Sequence, residues 1–125
     1  MGRIVHEIEV DGKKLKTLFD AGSIRSYIRS EFKPEVTHKV PPIHVALGGN
    51  ELILTERCDI VATIEGLGFA FNAYPIEEIG EIEEGRLDVL IGVLCMEEWY
   101  IKLDPTNRTL DLTGLKRREF TEFIG

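Results

Sequence analysis

The sequence predicts an all-β fold with one short helix near its C-terminal end, and three observations support this. Apolar and polar residues alternate along several short segments, which is the period of half-buried strands. Turn residues, among them Asp11-Gly12 and Gly48-Gly49, separate these segments. Nothing resembles a βαβ unit. The 125 residues are predicted to form one domain, 1–125, of which 113–125 is a charged tail.

The first half of the chain predicts a hairpin followed by two irregular stretches. Alternation over 3–10 and again over 14–19 predicts two strands joined by a tight turn at Asp11-Gly12. Apolar residues at i, i+3 and i+4 in 24–28 indicate a short helical turn or an irregular wall. Three prolines in 33–42 predict a connection with at most an edge strand in it.

The second half predicts further hairpins, a buried strand and the helix. An acidic stretch at 77–86, with five glutamates, reads as an exposed loop. The run 87–91 is apolar apart from Asp88, which suits a strand buried on both faces. The remaining expected elements are strands over 43–48, 52–65, 69–76, 100–103 and 109–112, and a helix over 93–99.

Composition argues against several classes of function. A net charge of −7 disfavours nucleic acid as the main partner, and the short Lys116-Arg117-Arg118 cluster is better explained as a solvated tail. No apolar run approaches the roughly 20 residues of a membrane span, and no signal peptide is recognisable, so a cytoplasmic protein without a membrane partner is expected.

Cysteine and histidine usage predicts no cofactor. Cys58 and Cys95 form no C-x-x-C pair and lie in apolar contexts, which indicates buried free thiols. The three histidines lack metal-ligand spacing, so no metal site is expected; they are His6, His38 and His44.

The chemistry-bearing stretch is Asp20-Ala21-Gly22-Ser23, where an apolar strand ends in a carboxylate followed by small residues. A loop of this kind presents a carboxyl group with no bulky side chain to obstruct a substrate. Peptide hydrolysis by carboxylates needs two of them close enough to share a proton. Because only Asp20 lies in a suitable loop, the second carboxylate has to come from a second copy, which predicts a homodimer.

In the order of its parts, the chain resembles the retropepsin-like aspartic proteases. The resemblance rests on Asp20-Ala21-Gly22-Ser23, the glycine-rich hairpin tip Gly48-Gly49-Asn50 and the apolar run Leu90-Ile91-Gly92 before a short helix. It covers residues 3–112 in order. It implies an acid-protease barrel with a flap hairpin, and a homodimer that hydrolyses peptide or protein substrates with the Asp20 pair as catalytic group.

The resemblance also implies roles for the neighbouring residues. Ala21, Gly22 and Ser23 support the loop, and the Ser23 hydroxyl either donates to the outer carboxylate oxygen or caps the loop. The flap tip, Gly48, Gly49 and Asn50, closes over a bound peptide and excludes water. The candidates for apolar substrate pockets are Ile24, Val45, Leu47, Ile91, Gly92 and Leu94.

One residue departs from the family pattern. The family has Thr or Ser after the aspartate, and its hydroxyl hydrogen-bonds across the two-fold axis; Ala21 has none. Each lost bond costs on the order of 1 kcal/mol. Three explanations fit: a working protease with a weaker dimer, a dimer that binds peptides or a partner without catalysis, or an engineered residue. A purely structural subunit is a further alternative.

Overall fold

The computed structural model describes residues 2–117, and these are mostly β-structure. No helix within this range is long or apolar enough to cross a membrane. The strands are β1 (Arg3–Val10), β2 (Lys13–Asp20), β3 (Ser26–Arg29), β4 (His38–Leu47), β5 (Asn50–Ile64), β6 (Leu67–Ile76), β7 (Glu81–Ile82), β8 (Gly85–Arg86), β9 (Val89–Ile91), β10 (Lys102–Asp104) and β11 (Thr109–Asp111). The helices are α1 (Val93–Glu98) and α2 (Thr113–Arg117), with one 3-10 turn at Ser30–Phe32.

In the described part of the chain, seven strands form the main sheet in the order β1-β2-β9-β3-β6-β5-β4, and one further pairing, Glu9 with Thr63, joins β1 to β5. β9 is an interior strand, parallel to β2 on one side and antiparallel to β3 on the other. All three residues of β9 are buried, as expected for an apolar strand with neighbours on both edges. The end of β2, which carries Asp20, is therefore held by a buried strand.

The first hairpin is confirmed, and its turn sets the position of Asp20. Asp11 and Gly12 both adopt positive φ, 50° and 75°, as a two-residue turn between strands requires. The ladder then runs from Val10 opposite Lys13 to Arg3 opposite Asp20. The turn at Asp11-Gly12 therefore places Arg3 opposite Asp20.

The prediction for 24–28 was wrong over most of its length. Tyr27 and Ile28 belong instead to β3, whose four residues are all buried, whereas Ile24 precedes the strand and is exposed. β3 pairs with β6 on one edge and β9 on the other. These partners lie far away in sequence, so a local spacing rule cannot register them.

Smaller differences lie elsewhere in the chain. The prolines at 41 and 42 fall inside edge strand β4, where the register shifts between Lys39 and Ile43. The acidic loop contains the two-residue ladder between β7 and β8. The strand expected over 100–103 begins later, at Lys102, after Tyr100 takes a φ of 56°.

The expectation of a single helix and a plain tail over 113–125 was also wrong in part. Residues 113–117 form α2, which fully buries Leu115. Arg118 and the apolar tail residues Phe120, Phe123 and Ile124 lie outside the described residues.

Two apolar clusters are present among residues 2–117. The larger, which includes Phe19, Ile28 and Ile91, forms the main core. The smaller includes Leu18, Leu87 and Leu90 and borders the cleft described below.

Both cysteines lie in the main core as free thiols. Burial raises the pKa of Cys58 to about 11 and that of Cys95 to about 12, chiefly by desolvating the thiolate. At pH 8 the folded thiols are protonated, so we expect iodoacetamide to label neither until the chain unfolds. Mass spectrometry of native and urea-treated protein checks the labelling; rapid native labelling would contradict the buried placement.

The two thiols also make the stability of the fold depend on pH. Above pH 9 the unfolded chain releases thiol protons that the folded chain keeps, so these groups destabilise the fold as pH rises toward 11.

Candidate active site

Asp20 is the last residue of β2, and its side chain is 21% exposed. The preceding residues Leu18 and Phe19 are buried and pair with Leu90 and Ile91 of β9. The carboxylate therefore stands at the open end of a strand that is fixed by core packing. The packing of β2 therefore restricts the position of the Asp20 carboxylate.

Backbone hydrogen bonds hold the loop after Asp20. The Gly22 N–H donates to Asp20 Oδ1 at 2.8 Å, and the Ala21 N–H donates to the Gly2 carbonyl at 2.7 Å. A Cβ at position 22 would lie 3.1 Å from the same Oδ1, so glycine allows this close approach without crowding the carboxylate. The Ser23 hydroxyl donates to the Arg25 carbonyl at 2.9 Å, which is the loop-capping role and not a bond to Asp20.

Gly92 fits this loop against the start of α1. Its N–H donates to the buried Ser26 hydroxyl oxygen at 3.0 Å. The next two residues continue the contact, because the Val93 N–H donates to the Ser23 carbonyl and the Leu94 N–H to the Ile24 carbonyl. The apolar run before α1 thus braces the Asp20 loop through main-chain contacts.

Asp20 lies in the wall of a cleft of about 860 Å³. The apolar cleft residues come from several strands and include Leu18, Ile76, Leu87 and Leu90. The flap, which is the β4–β5 hairpin, contributes residues around its tip. Gly48 and Gly49 form that tip with φ of 57° and 83°, a backbone that suits glycine at both positions. A cleft of this size with a hairpin along one side suits an extended peptide segment.

The predicted site residues fall into three groups. Gly48, Asn50 and Leu47 line the same cleft as Asp20. Val45 packs against the smaller apolar cluster, while Ile91 is fully buried in the core and Gly92 is buried against the loop. Ile24 and Leu94 are each 62% exposed and line a different cavity.

Several cleft residues were missed by the sequence reasoning. Arg3 places its Nε 3.9 Å from Asp20 Oδ2, at the outer limit of an ion pair. Counting back from the Asp11-Gly12 turn pairs Arg3 with Asp20, so the hairpin register was the signal that could have found it. The stretch 75–82, most of it in the acidic loop, also lines the cleft, and no local pattern indicates that.

Two of the other cleft carboxylates, Glu56 and Glu78, have hydrogen-bond partners different from those of Asp20. Glu56 accepts hydrogen bonds from Lys33 and Thr37, and these bonds lower its pKa. Glu78 is paired with Arg86, whose hydrogen bonds lower the pKa of Glu78 as well. Both therefore remain ionised into the acid range and are poorly suited to sharing a proton. Asp20 is the cleft carboxylate on a short glycine-containing loop, held by the backbone.

Comparison with known proteins supports the same class of fold. No protein-family model matches the sequence, and no curated protein matches it. Among solved structures, the retroviral protease-like domain of Ddi1 from Leishmania major superposes with a TM-score of 0.59 at 14% identity, over 90% of each chain. The foamy viral protease-reverse transcriptase in complex with an RNA/DNA hybrid gives 0.58 at 11% identity, over 79% of this chain. This chain spans only 12% of that viral protein.

The fold is thus the retropepsin-like fold of retroviral-type proteases, which confirms the fold class that the sequence predicted. At identities of 11% and 14% the likeness establishes the architecture alone.

Proposed function

We propose that the protein is an aspartic endopeptidase that works as a homodimer. The observation that carries this proposal is the Asp20 carboxylate, held by the Gly22 N–H on a braced loop in the wall of a peptide-sized cleft. Similarity in fold to a retroviral protease and a protease-like domain supports it. The substrates would be extended, largely apolar peptide segments that lie between the cleft floor and the flap.

In the proposed mechanism, the Asp20 residues of two subunits share one proton. The ionised carboxyl takes a proton from a water molecule, which attacks the scissile carbonyl carbon, while the protonated carboxyl donates its proton to the carbonyl oxygen. Collapse of the resulting tetrahedral diol breaks the C–N bond as a proton passes to the amine. The two carboxyls titrate as a pair, so the apparent pKa values belong to both.

The test is cleavage of a peptide library by the wild-type protein and by Asp20→Asn. We expect an acidic bell-shaped pH profile, because activity needs one proton on the pair and falls when the pair holds none or two. Asp20→Asn should lose at least about a thousandfold in kcat/KM, since the general base is removed. A matched control is Asp59→Asn, the same substitution at an exposed residue outside the cleft, and it should keep wild-type activity. Activity that survives in Asp20→Asn would refute the mechanism, and a strict monomer by analytical ultracentrifugation would refute the dimer.

A second candidate function is a dimeric peptide-binding module without catalysis. Ala21 favours it, because the residue after the carboxylate has no hydroxyl to fix a dyad across a dimer axis. Its N–H is already bonded to the Gly2 carbonyl, so the backbone is in place and only the side chain differs. Ala21→Thr should raise dimer affinity and cleavage if the endopeptidase proposal holds. Tight peptide binding without any cleavage in Ala21→Thr would favour the module.

The cytoplasmic location expected from the sequence is part of this proposal. A retropepsin-type site needs no cofactor and no disulfide, and both cysteines are free. Fractionation of cells that produce the protein would test the location.

A further inference from the structure

A second cavity, of about 290 Å³, lies beside the Asp20 loop and shares no lining residue with the cleft. Two arginines line it, Arg25 from the loop and Arg57 from β5. Its wall is aromatic, with Phe71 and Tyr74 of β6. We call it the arginine pocket. Neither the proposed dyad nor the flap uses it.

The two guanidinium groups have no carboxylate partner within ion-pair distance among residues 2–117. The arginines that form salt bridges in that range are Arg3, Arg29 and Arg86. Glu98 also lines the pocket, yet it forms no ion pair with Arg25 or Arg57. Both arginines are partly buried, so the cost of desolvating them is already met in part in the folded chain. A concave site with two unpaired arginines is chemically matched to a carboxylate.

Two exposed apolar side chains stand at this cavity. Ile24 and Leu94 are each 62% exposed, and the Leu94 N–H donates to the Ile24 carbonyl at 3.3 Å, so the two residues are neighbours. Exposed apolar residues in one place are typical of interaction surfaces. They would contact an apolar side chain while the arginines contact an acidic one.

We propose that the arginine pocket binds a peptide segment that carries an acidic side chain next to a branched apolar one. The acid accepts from Arg25 and Arg57, its methylene groups lie against Tyr74, and the apolar neighbour covers Ile24 and Leu94. The overall charge of −7 repels acidic peptides from most of the surface, so binding of this kind depends on the local pair of cations. The proposal does not depend on catalysis at Asp20.

The test uses the full chain carrying Asp20→Asn, so that no probe is cleaved. The probes are acetylated, amidated hexapeptide pools with one fixed Leu followed by Glu, Gln or Lys, and binding is measured by calorimetry at about 50 and about 300 mM NaCl, which spans strong to weak screening. We expect the Glu pool to bind about tenfold more tightly than the Gln pool at low salt and the Lys pool to bind least. The preference should shrink at high salt.

Single-residue variants test which side chains cause the preference for the Glu pool over the Gln pool. Arg25→Gln and Arg57→Gln should each reduce the Glu-to-Gln ratio, and together bring it to about one. Arg108→Gln, which removes the same charge from the β10–β11 turn, should leave the ratio unchanged. Glu98→Gln should increase the ratio, because it removes the competing carboxylate from the pocket.

A measurement without pocket variants guards against misfolding. In nuclear magnetic resonance spectra of the Asp20→Asn chain, the Glu pool should shift the arginine Nε–H signals and the Asn72 amide, whereas the Gln pool should not. Equal binding of the Glu and Gln pools, or a preference that persists in the folded double variant, would overturn the proposal. Neither result would affect the test of cleavage at Asp20.

Discussion

Gly92→Ala is expected to destabilise the fold by about 3 kcal/mol and to abolish the proposed cleavage at Asp20. A Cβ at this position would lie 2.4 Å from the Arg25 carbonyl oxygen, 2.6 Å from that of Ser23 and 2.7 Å from that of Ile24. All three atoms are main chain, so no rotamer change relieves the overlap. The Ser23 and Ile24 carbonyls also accept the N–H bonds that begin α1, and moving them breaks those bonds.

Urea denaturation followed by circular dichroism measures this effect. The matched control is Gly68→Ala, since Gly68 lies in β6 without a positive φ and has open space where the added methyl group would stand. We expect the control to keep wild-type stability within about 1 kcal/mol. If the two alanine variants unfold at the same urea concentration, the close packing of Gly92 against the Asp20 loop is incorrect.

The packing of Gly92 against residues 23–25 also explains how a short sequence motif could predict a contact between parts of the chain that are far apart in sequence. The run Leu90-Ile91-Gly92 matters because β9 enters the sheet between β2 and β3 and ends where only a glycine fits beside the loop. The turn at Asp11-Gly12 is equally local, and it fixes the ladder that ends at Asp20. Features encoded by turn residues and strand alternation were therefore predictable.

Features that depend on non-local partners were not predictable. β3 is a strand because β6 and β9 pair with its two edges, although the apolar spacing over 24–28 indicates a helical turn. α2 is short, and its single buried residue, Leu115, gives no periodicity to read. Likewise, Glu77 and Glu81 reach the cleft through the path of the chain between β6 and β9, and an acidic composition indicates only exposure.

The candidate site divides in the same way. Asp20, the flap tip and Gly92 could be identified because each belongs to a motif with a backbone requirement. The wall of the cleft and the arginine pocket could not be identified from the sequence, because each combines single residues from separate parts of the chain. Ile24 and Leu94 were predicted as candidates for apolar substrate pockets, yet they border the arginine pocket and not the cleft that contains Asp20.

Asp88→Asn is expected to destabilise the fold by about 3 kcal/mol, because it breaks a buried ion pair from one side. Asp88 Oδ1 accepts from Arg29 Nη2 at 2.6 Å, and Oδ2 accepts from the Lys16 N–H at 2.8 Å. The two side chains of the ion pair, Arg29 and Asp88, are only 8% and 16% exposed. The asparagine leaves the guanidinium with Glu31 as its remaining carboxylate and can present an N–H₂ group toward a donor.

The position of the Arg29–Asp88 ion pair explains why a change at a residue outside the cleft lining should affect the site. Asp88 connects the three strands that carry the Asp20 loop, since its main chain bonds to Lys16 of β2 and to Arg29 of β3 at the start of β9. The Arg29 guanidinium also lies 4.9 Å from the centre of the Phe32 ring, which ties the 3-10 turn to the same point. Breaking the Arg29–Asp88 ion pair should therefore lower both the kcat of the proposed reaction and the urea concentration at which half of the protein is unfolded.

A double-mutant cycle separates the charge effect from lost packing. Arg29→Met alone should also destabilise, but Arg29→Met combined with Asp88→Asn should cost clearly less than the sum, because neither charge is then left buried without its partner. The control pair is Arg86 with Glu78, an ion pair whose side chains are about half exposed, and Arg86→Met should barely move the urea midpoint. Additive losses in the Arg29–Asp88 cycle would mean that the two charges do not stabilise each other, and the brace would then have to be attributed to the main-chain bonds of Asp88 alone.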